Sequence, residues 1–201
     1  NRVGERSAYT VVVSRRVRLL GTPSLFLSAA YSSTDVPVPE VLWFEPDAEP
    51  LGAPFFVMGR INGSAPPDMP PYVFGGSFLD AMDDDARMTL QANAAGVLAR
   101  LHTITYDDES GNAAMERQLQ AQREYYDWAR EGVRYPAIEA MFDWLEANKP
   151  DFGPTVLNWG DSRIGNILFN GTEVAAVLDW EMVDRGPAEV DVAWMSFLHT
   201  F

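Results

Sequence analysis

Residues 157–181 read LNWGDSRIGNILFNGTEVAAVLDWE. An apolar lead-in runs into Gly160-Asp161, Asn166 follows, and beyond an Asn170-Gly171 pair the chain returns through a second apolar run to Asp179. Asn-Gly between two apolar stretches is the strongest short-range signal for a β-hairpin. A hairpin turning there brings Asn166, just before its first strand, toward the same end as Asp179, just after its second. With a plain two-residue loop at Asn170-Gly171, Asn166 falls opposite Ala175, leaving Asp179 further along the strand by about 13 Å. The two meet only if the turn is wider or the flanking loops curl inward.

An amide oxygen and a carboxylate meeting in this way suit a hard cation such as Mg²⁺, which takes oxygen ligands and keeps waters or substrate phosphates in its remaining positions. Asp161, across a loop containing Gly165, then faces the same pocket as a base. Any one of these residues alone is a common turn former beside a strand. The joint spacing Asp161-x4-Asn166-x12-Asp179, with a hairpin inside it, is what points to chemistry.

Composition narrows the partners. The 201 residues, 47% hydrophobic, can bury one sizeable core, as one domain or a domain and part of another. A net charge of −14, with Lys149 the single lysine, argues against a nucleic-acid or anionic-membrane surface, so a phosphate handled here arrives with a metal. Without cysteine there is no disulfide framework, thiol nucleophile or thiolate zinc site, which leans toward a reducing, cytoplasmic setting. Two histidines, His102 and His199, argue against a histidine-rich metal site. Residues 1–34 carry five arginines against one glutamate, the reverse of the rest. The run from Ser14 to Ala30 superficially resembles a twin-arginine export signal, but a strand-rich or incomplete N-terminal portion is the preferred reading.

Along the chain, TDVPVPEVLWFEPD (34–47) suits an extended segment leading to an edge strand, and PFFVMGRINGS (54–64) a short strand that breaks at Gly59 and Gly63. APPDMPPY (65–72) is loop. Between Leu79 and His102, the positions Leu90, Ala94, Val97, Leu98 and Leu101 form one stripe of an amphipathic helix, and Asp83-Asp84-Asp85 caps its start. A second helix is expected between Asn112 and Arg130. A third opens at Pro136, with Ile138, Met141, Phe142 and Leu145 on one face and Pro150 closing it. Asp107, Asp108 and Glu109 read as a solvated loop, with attraction of a cationic acceptor as the functional alternative.

Asp-x4-Asn, a hairpin and a further Asp resemble the catalytic core of the protein-kinase-like fold. WGDSRIGN (159–166) with VLDWE (177–181) is similar in particular to the aminoglycoside phosphotransferase and choline kinase branch, whose usual forms are H-G-D-x4-N and D-W/F-E. FFVMGRINGS (55–64) resembles that branch's hinge strand, VLARLH (97–102) the helix after the linker, and DVAWMSFLH (191–199) its D-x-A-W helix. The match runs from about Asp35 to Phe201. It implies an α+β, two-lobed fold: a partial N-lobe over 1–59 ending in the hinge strand, and a mainly helical C-lobe over 60–201, truncated at its end. It implies ATP and Mg²⁺ as cofactors and a small-molecule hydroxyl as acceptor. By position, Asp161 is the catalytic aspartate, Asn166 and Asp179 are the metal ligands, and Asp191 braces the catalytic loop. Arg163 stands where protein kinases keep a lysine near the transferred phosphate. Val57 and Met58 offer hinge backbone groups to adenine, between apolar walls from Leu168 and Leu178.

Two departures stand out. Trp159 replaces the usual histidine before Gly-Asp, as in a sub-branch resembling the kinase-like domain fused to some acyl-CoA dehydrogenases. Residues 1–34 contain neither the phosphate-binding lysine nor a segment resembling the family's first lobe, so they are expected to be irregular, without a twisted sheet that presents Arg16 or Arg18 to the metal pocket. Lys149, a solvated helix end, does not replace that lysine. The leading expectation is a small-molecule kinase of which this chain is a fragment, inactive alone. The alternative is a non-catalytic, pseudokinase-like nucleotide-binding or scaffold module.

Overall fold

The computed structural model describes the backbone of residues 9–13 and the whole of residues 34–198. Three antiparallel strands, β1 (Tyr9–Val13), β2 (Val41–Glu45) and β3 (Phe55–Gly59), form a small sheet in the order β1-β3-β2. β2 is an edge strand, as its proline-rich approach suggests. β1 revises the expected irregularity over residues 9–13 alone, which pair with β3 from Tyr9↔Gly59 to Val13↔Phe55, in line with a strand-rich N-terminal portion. Arg16 and Arg18 lie outside the described residues.

The proline-rich stretch after β3 leads through two 3₁₀ turns, Tyr72–Phe74 and Phe78–Ala81, into helix α1 (Asp84–Leu101). The Asp83 side chain accepts from the Ala86 N–H, with Asp84 and Asp85 in the first turn, so the acidic run is a cap that also complements the helix dipole. The buried residues of α1 are Leu90, Ala94, Val97, Leu98 and Leu101, the stripe set by the sequence.

β4 (Thr105–Ser110), helices α2 (Gly111–Ala129) and α3 (Pro136–Ala147), and β5 (Pro154–Asn158) follow. The loop reading of Asp107–Glu109 is narrowed: these residues lie within β4, but in the break of its register with β5 between Tyr106↔Thr155 and Ser110↔Pro154, and Asp107 and Asp108 are exposed. There Glu109 and Asp184 hold Arg117, while Asp108 meets Arg185. The α3 face is also revised. Phe142 is buried against Tyr126 and under the Arg123 guanidinium, whereas Ile138, Met141 and Leu145 stay exposed. Lys149 is not simply solvated, since it pairs with Glu116 at 2.6 Å.

The hairpin β6 (Ile167–Asn170) and β7 (Glu173–Val177) comes next, then β8 (Asp184–Pro187), which completes the sheet β4-β5-β8, and helix α4 (Glu189–Leu198). One apolar cluster joins Val36, Val38 and Phe56 to the α1 stripe and to Leu157, Trp159, Ile167, Phe169, Val177, Trp180 and Val183. Two backbone links fix this arrangement: Ser64 exchanges hydrogen bonds with Phe169, and the Val177 N–H donates to the Pro37 carbonyl. No described helix is long and apolar enough to cross a membrane.

Candidate active site

The hairpin solves its own geometric problem in two steps. Its ladder begins at Asn170↔Glu173, so the loop is Gly171-Thr172, one residue later than the Asn-Gly pair suggests. Gly171 supplies the positive φ (62°) that such a tight turn needs at its first position. Between Phe169↔Val174 and Leu168↔Ala176 the register then slips, leaving Ala175 as the extra residue of a bulge. Both shifts move the second strand back toward Asn166, whose carbonyl accepts the Leu178 N–H at 2.8 Å. Asn166 therefore lies across from the residue next to Asp179.

Asp179 is exposed and holds φ at 56°, a left-handed conformation that Asp tolerates better than most residues. Trp159 fixes the backbone there. Its indole is fully buried against Trp180, and its Nε1–H lies 2.9 Å from the Leu178 carbonyl and 3.1 Å from that of Asp179. The tryptophan in the usual histidine position thus ties the Asp161 loop to the Asp179 turn. Gly160, at φ 93°, has no room for a side chain: a Cβ would meet the Met182 carbonyl at 2.2 Å.

Asp161 itself is surrounded by donors. Its Oδ2 accepts from Arg163 Nε and Asn166 Nδ2, each at 2.8 Å, and its Oδ1 from Trp194 Nε1 at 2.8 Å. Burial pushes the carboxyl pKa up, but the hydrogen bonds from Arg163, Trp194 and Asn166 and the Arg163 charge outweigh it and hold the pKa below the usual carboxylate range. Burial also opposes the Arg163 charge, and the carboxylates of Asp68 and Asp161 more than compensate. Asp68 reaches Arg163 from the proline-rich loop at 2.5 Å, and Gly165 leaves space for it, since a Cβ there would stand 2.6 Å from Asp68 Oδ1.

The loop backbone is held from α4. Asp191, fully buried, accepts the Trp159 N–H at 2.8 Å and the Gly160 N–H at 2.9 Å, and His102 Nε2 lies 3.0 Å from its Oδ2. Ser162 Oγ donates to the Asp191 carbonyl. Asp161, Arg163, Asn166 and Asp191 are thus gathered in one hydrogen-bonded cluster, and the Asn166–Leu178 backbone link carries Asp179 alongside. Leu168 and Leu178, both half-buried, flank the hairpin end of it.

Val57 and Met58 are placed differently. They lie in the middle strand of the first sheet, opposite Val11 and Trp43 and opposite Thr10 and Val41, so their backbone groups face ladder partners on both sides. The chain leaves the ladder only after Gly59, at residues 60–63. Three contributors escaped the sequence reading: Asp68, His102 and Trp194. Trp194 alone left a signal, since it follows Asp191 by three residues and so shares its helical face.

Among the described residues, no group of three or more His, Asp or Glu stands ready to hold a metal. The donor set here is smaller and of a different kind. Both Asn166 amide hydrogens point to Asp161, toward its carbonyl at 3.0 Å and its carboxylate, so the side-chain Oδ1 is the acceptor not used in these two bonds. Two hard oxygens from the protein fit a cation that brings its other ligands with a phosphate.

The fold is that of a phosphotransferase, as comparisons with known proteins show. A model of the phosphotransferase enzyme family matches residues 25–200, and the chain belongs to that family. Acyl-CoA dehydrogenase family member 10 from Mus musculus is 31% identical over 173 residues, 82% of this chain and 15% of the mouse protein. The chain spans a similarly small share, 21%, of acyl-CoA dehydrogenase family member 11 from Gallus gallus, to which it is 32% identical over 174 residues. In fold it is similar to a Ralstonia eutropha protein described as an aminoglycoside phosphotransferase, with a TM-score of 0.69 and 24% identity, over 93% of this chain and 56% of that one. The α+β architecture is therefore the protein-kinase-like fold of the aminoglycoside phosphotransferases.

Proposed function

We propose that this chain carries the catalytic centre of an ATP-dependent phosphotransferase that moves the γ-phosphoryl group of ATP, as its Mg²⁺ complex, to a hydroxyl of a small molecule. The single observation that supports this best is the cluster around Asp161, with Asn166 bonded to its carboxylate and linked through Leu178 to Asp179. In this reading Asp161 orients the acceptor hydroxyl and takes its proton, and its lowered pKa keeps it ionised at neutral pH. Asn166 Oδ1 and the Asp179 carboxylate hold Mg²⁺, which when bound neutralises charge on the triphosphate. Arg163 presents its guanidinium beside Asp161, near the transferred group. Asp191 keeps the loop in register.

Adenine is assigned to the apolar walls offered by Leu168 and Leu178. The backbone that greets it is moved from Val57 and Met58 to residues 60–63, the first chain beyond the ladder. A division near residue 59, with the small sheet on one side and the helical part on the other, belongs to the same reading. A structural neighbour with this fold, the aminoglycoside phosphotransferase APH(4)-Ia, TM-score 0.63 and 15% identical, was solved with AMP-PNP and hygromycin B, which supports nucleotide and small-molecule hydroxyl partners.

One observation favours a second reading, a non-catalytic nucleotide-binding module. The single lysine of the chain, Lys149, is engaged with Glu116 and is unavailable to α- and β-phosphates. Calorimetric titration with ATP separates the readings from other functions. Both require binding that depends on Mg²⁺ and is lost in Asp179→Ala, whereas metal-independent binding indifferent to that change would remove the kinase-like site. Phosphate transfer then decides between the two.

A further inference from the structure

Helix α4 reaches the Asp161 loop twice. Asp191 and Trp194 are three residues apart and therefore neighbours on one helical face. The first takes the loop backbone, through Trp159 N–H and Gly160 N–H. The second takes the reacting side chain, since Trp194 Nε1–H donates to Asp161 Oδ1 at 2.8 Å while Arg163 and Asn166 occupy Oδ2. A carboxylate turns about a single bond, so donors on both oxygens fix its plane. Two oxygens offer about four lone-pair positions. Three are used by these donors, which leaves the remaining acceptor position on Oδ1, beside the indole.

We propose that Trp194 is a positioning residue of the phosphotransferase site, setting the plane of the Asp161 carboxylate so that its open Oδ1 lone pair faces the acceptor hydroxyl. Because the same helix face holds the loop backbone, carboxylate and loop move as one unit. This rests on the reading of Asp161 as the residue that orients the acceptor. Trp194 touches neither the phosphates nor the metal ligands' oxygens in this scheme, so its loss slows the chemical step and leaves nucleotide binding alone. Misorientation of a reacting group costs up to about 100-fold in rate.

The test uses Trp194→Phe, which keeps a ring and removes the N–H, together with Asp161→Ala, the double variant and Trp194→His, which restores a ring N–H. Two quantities are measured: the indole ¹⁵N–¹H signal of Trp194 in residues 1–201, identified among the six tryptophans as the one missing in Trp194→Phe, and, in the full-length protein, Mg·ATP hydrolysis with water as acceptor. The indole signal is expected to shift and to exchange faster with solvent in Asp161→Ala. Hydrolysis is expected to lose about 10- to 100-fold in kcat in Trp194→Phe with KM for Mg·ATP within about twofold, to recover in part in Trp194→His, and to be no slower in the double variant than in Asp161→Ala. An indole signal unmoved by Asp161→Ala, or losses that add in full in the double variant, would overturn the proposal. Absence of hydrolysis in the full-length wild-type protein would instead sink the phosphotransfer reading, and the indole signal would still decide whether α4 holds Asp161.

Discussion

Around Asp161, contacts converge from five parts of the chain: the proline-rich loop through Asp68, α1 through His102, the hairpin through Leu178, the loop itself through Arg163 and Asn166, and α4 through Asp191 and Trp194. Along α3, the only buried residue is Phe142, although that helix shows as clean an apolar periodicity as any in the sequence. The two regions differ in what holds them. The loop has little regular structure and depends on buried polar groups that meet partners, whereas α3 is a regular helix held by its own backbone bonds, one aromatic anchor and surface contacts to α2, from Arg123 to Asp143 and Glu146 and from Tyr126 to Glu139. Periodicity therefore predicts an element, and long-range polar contacts decide how the loop is joined to the rest of the molecule.

The largest stability effect expected from breaking the loop side is Asp191→Ala. It leaves the Trp159 and Gly160 N–H groups and His102 without their common acceptor inside the core, and a loss of about 3–5 kcal/mol in urea unfolding is expected. A loss below about 1 kcal/mol would mean the loop backbone is held elsewhere. Trp159→Phe is next. It keeps most of the ring in place but strips one donor from the Leu178 and Asp179 carbonyls, for about 1–2 kcal/mol by the same measurement. At the small end, Met141→Gln on the exposed face of α3 is expected to change stability by less than about 0.5 kcal/mol. A cost as large as that of Trp159→Phe would erase the contrast between the two regions.

Much of this was legible in the sequence because it is local. The α1 stripe, its aspartate cap, the hairpin and the order Asp161, Asn166, Asp179 all depend on residues within a few turns or one hairpin of each other. The turn slipped by one residue because Gly171 can lead a tight turn as well as follow Asn170 in one, and the bulge at Ala175 answers to packing that no pairwise spacing reveals. β4 and β8 were missed for a related reason: they are short, carry charged residues and are stabilised mainly by pairing with β5. The Val57 and Met58 assignment was made without β1, which adds a second partner to their strand. Asp68, His102 and Trp194 reach the loop across long sequence separations, and chemistry of that kind becomes visible only when the chain is folded.

The most direct test of the central claim is Asp161→Asn in the full-length protein, followed by two readings on the same sample: Mg·ATP affinity and the rate of phosphate transfer. If Asp161 acts on the acceptor, affinity stays within about twofold while turnover falls by about 100-fold or more. Equal loss of both would assign Asp161 to nucleotide binding, and unchanged turnover would remove it from the chemistry.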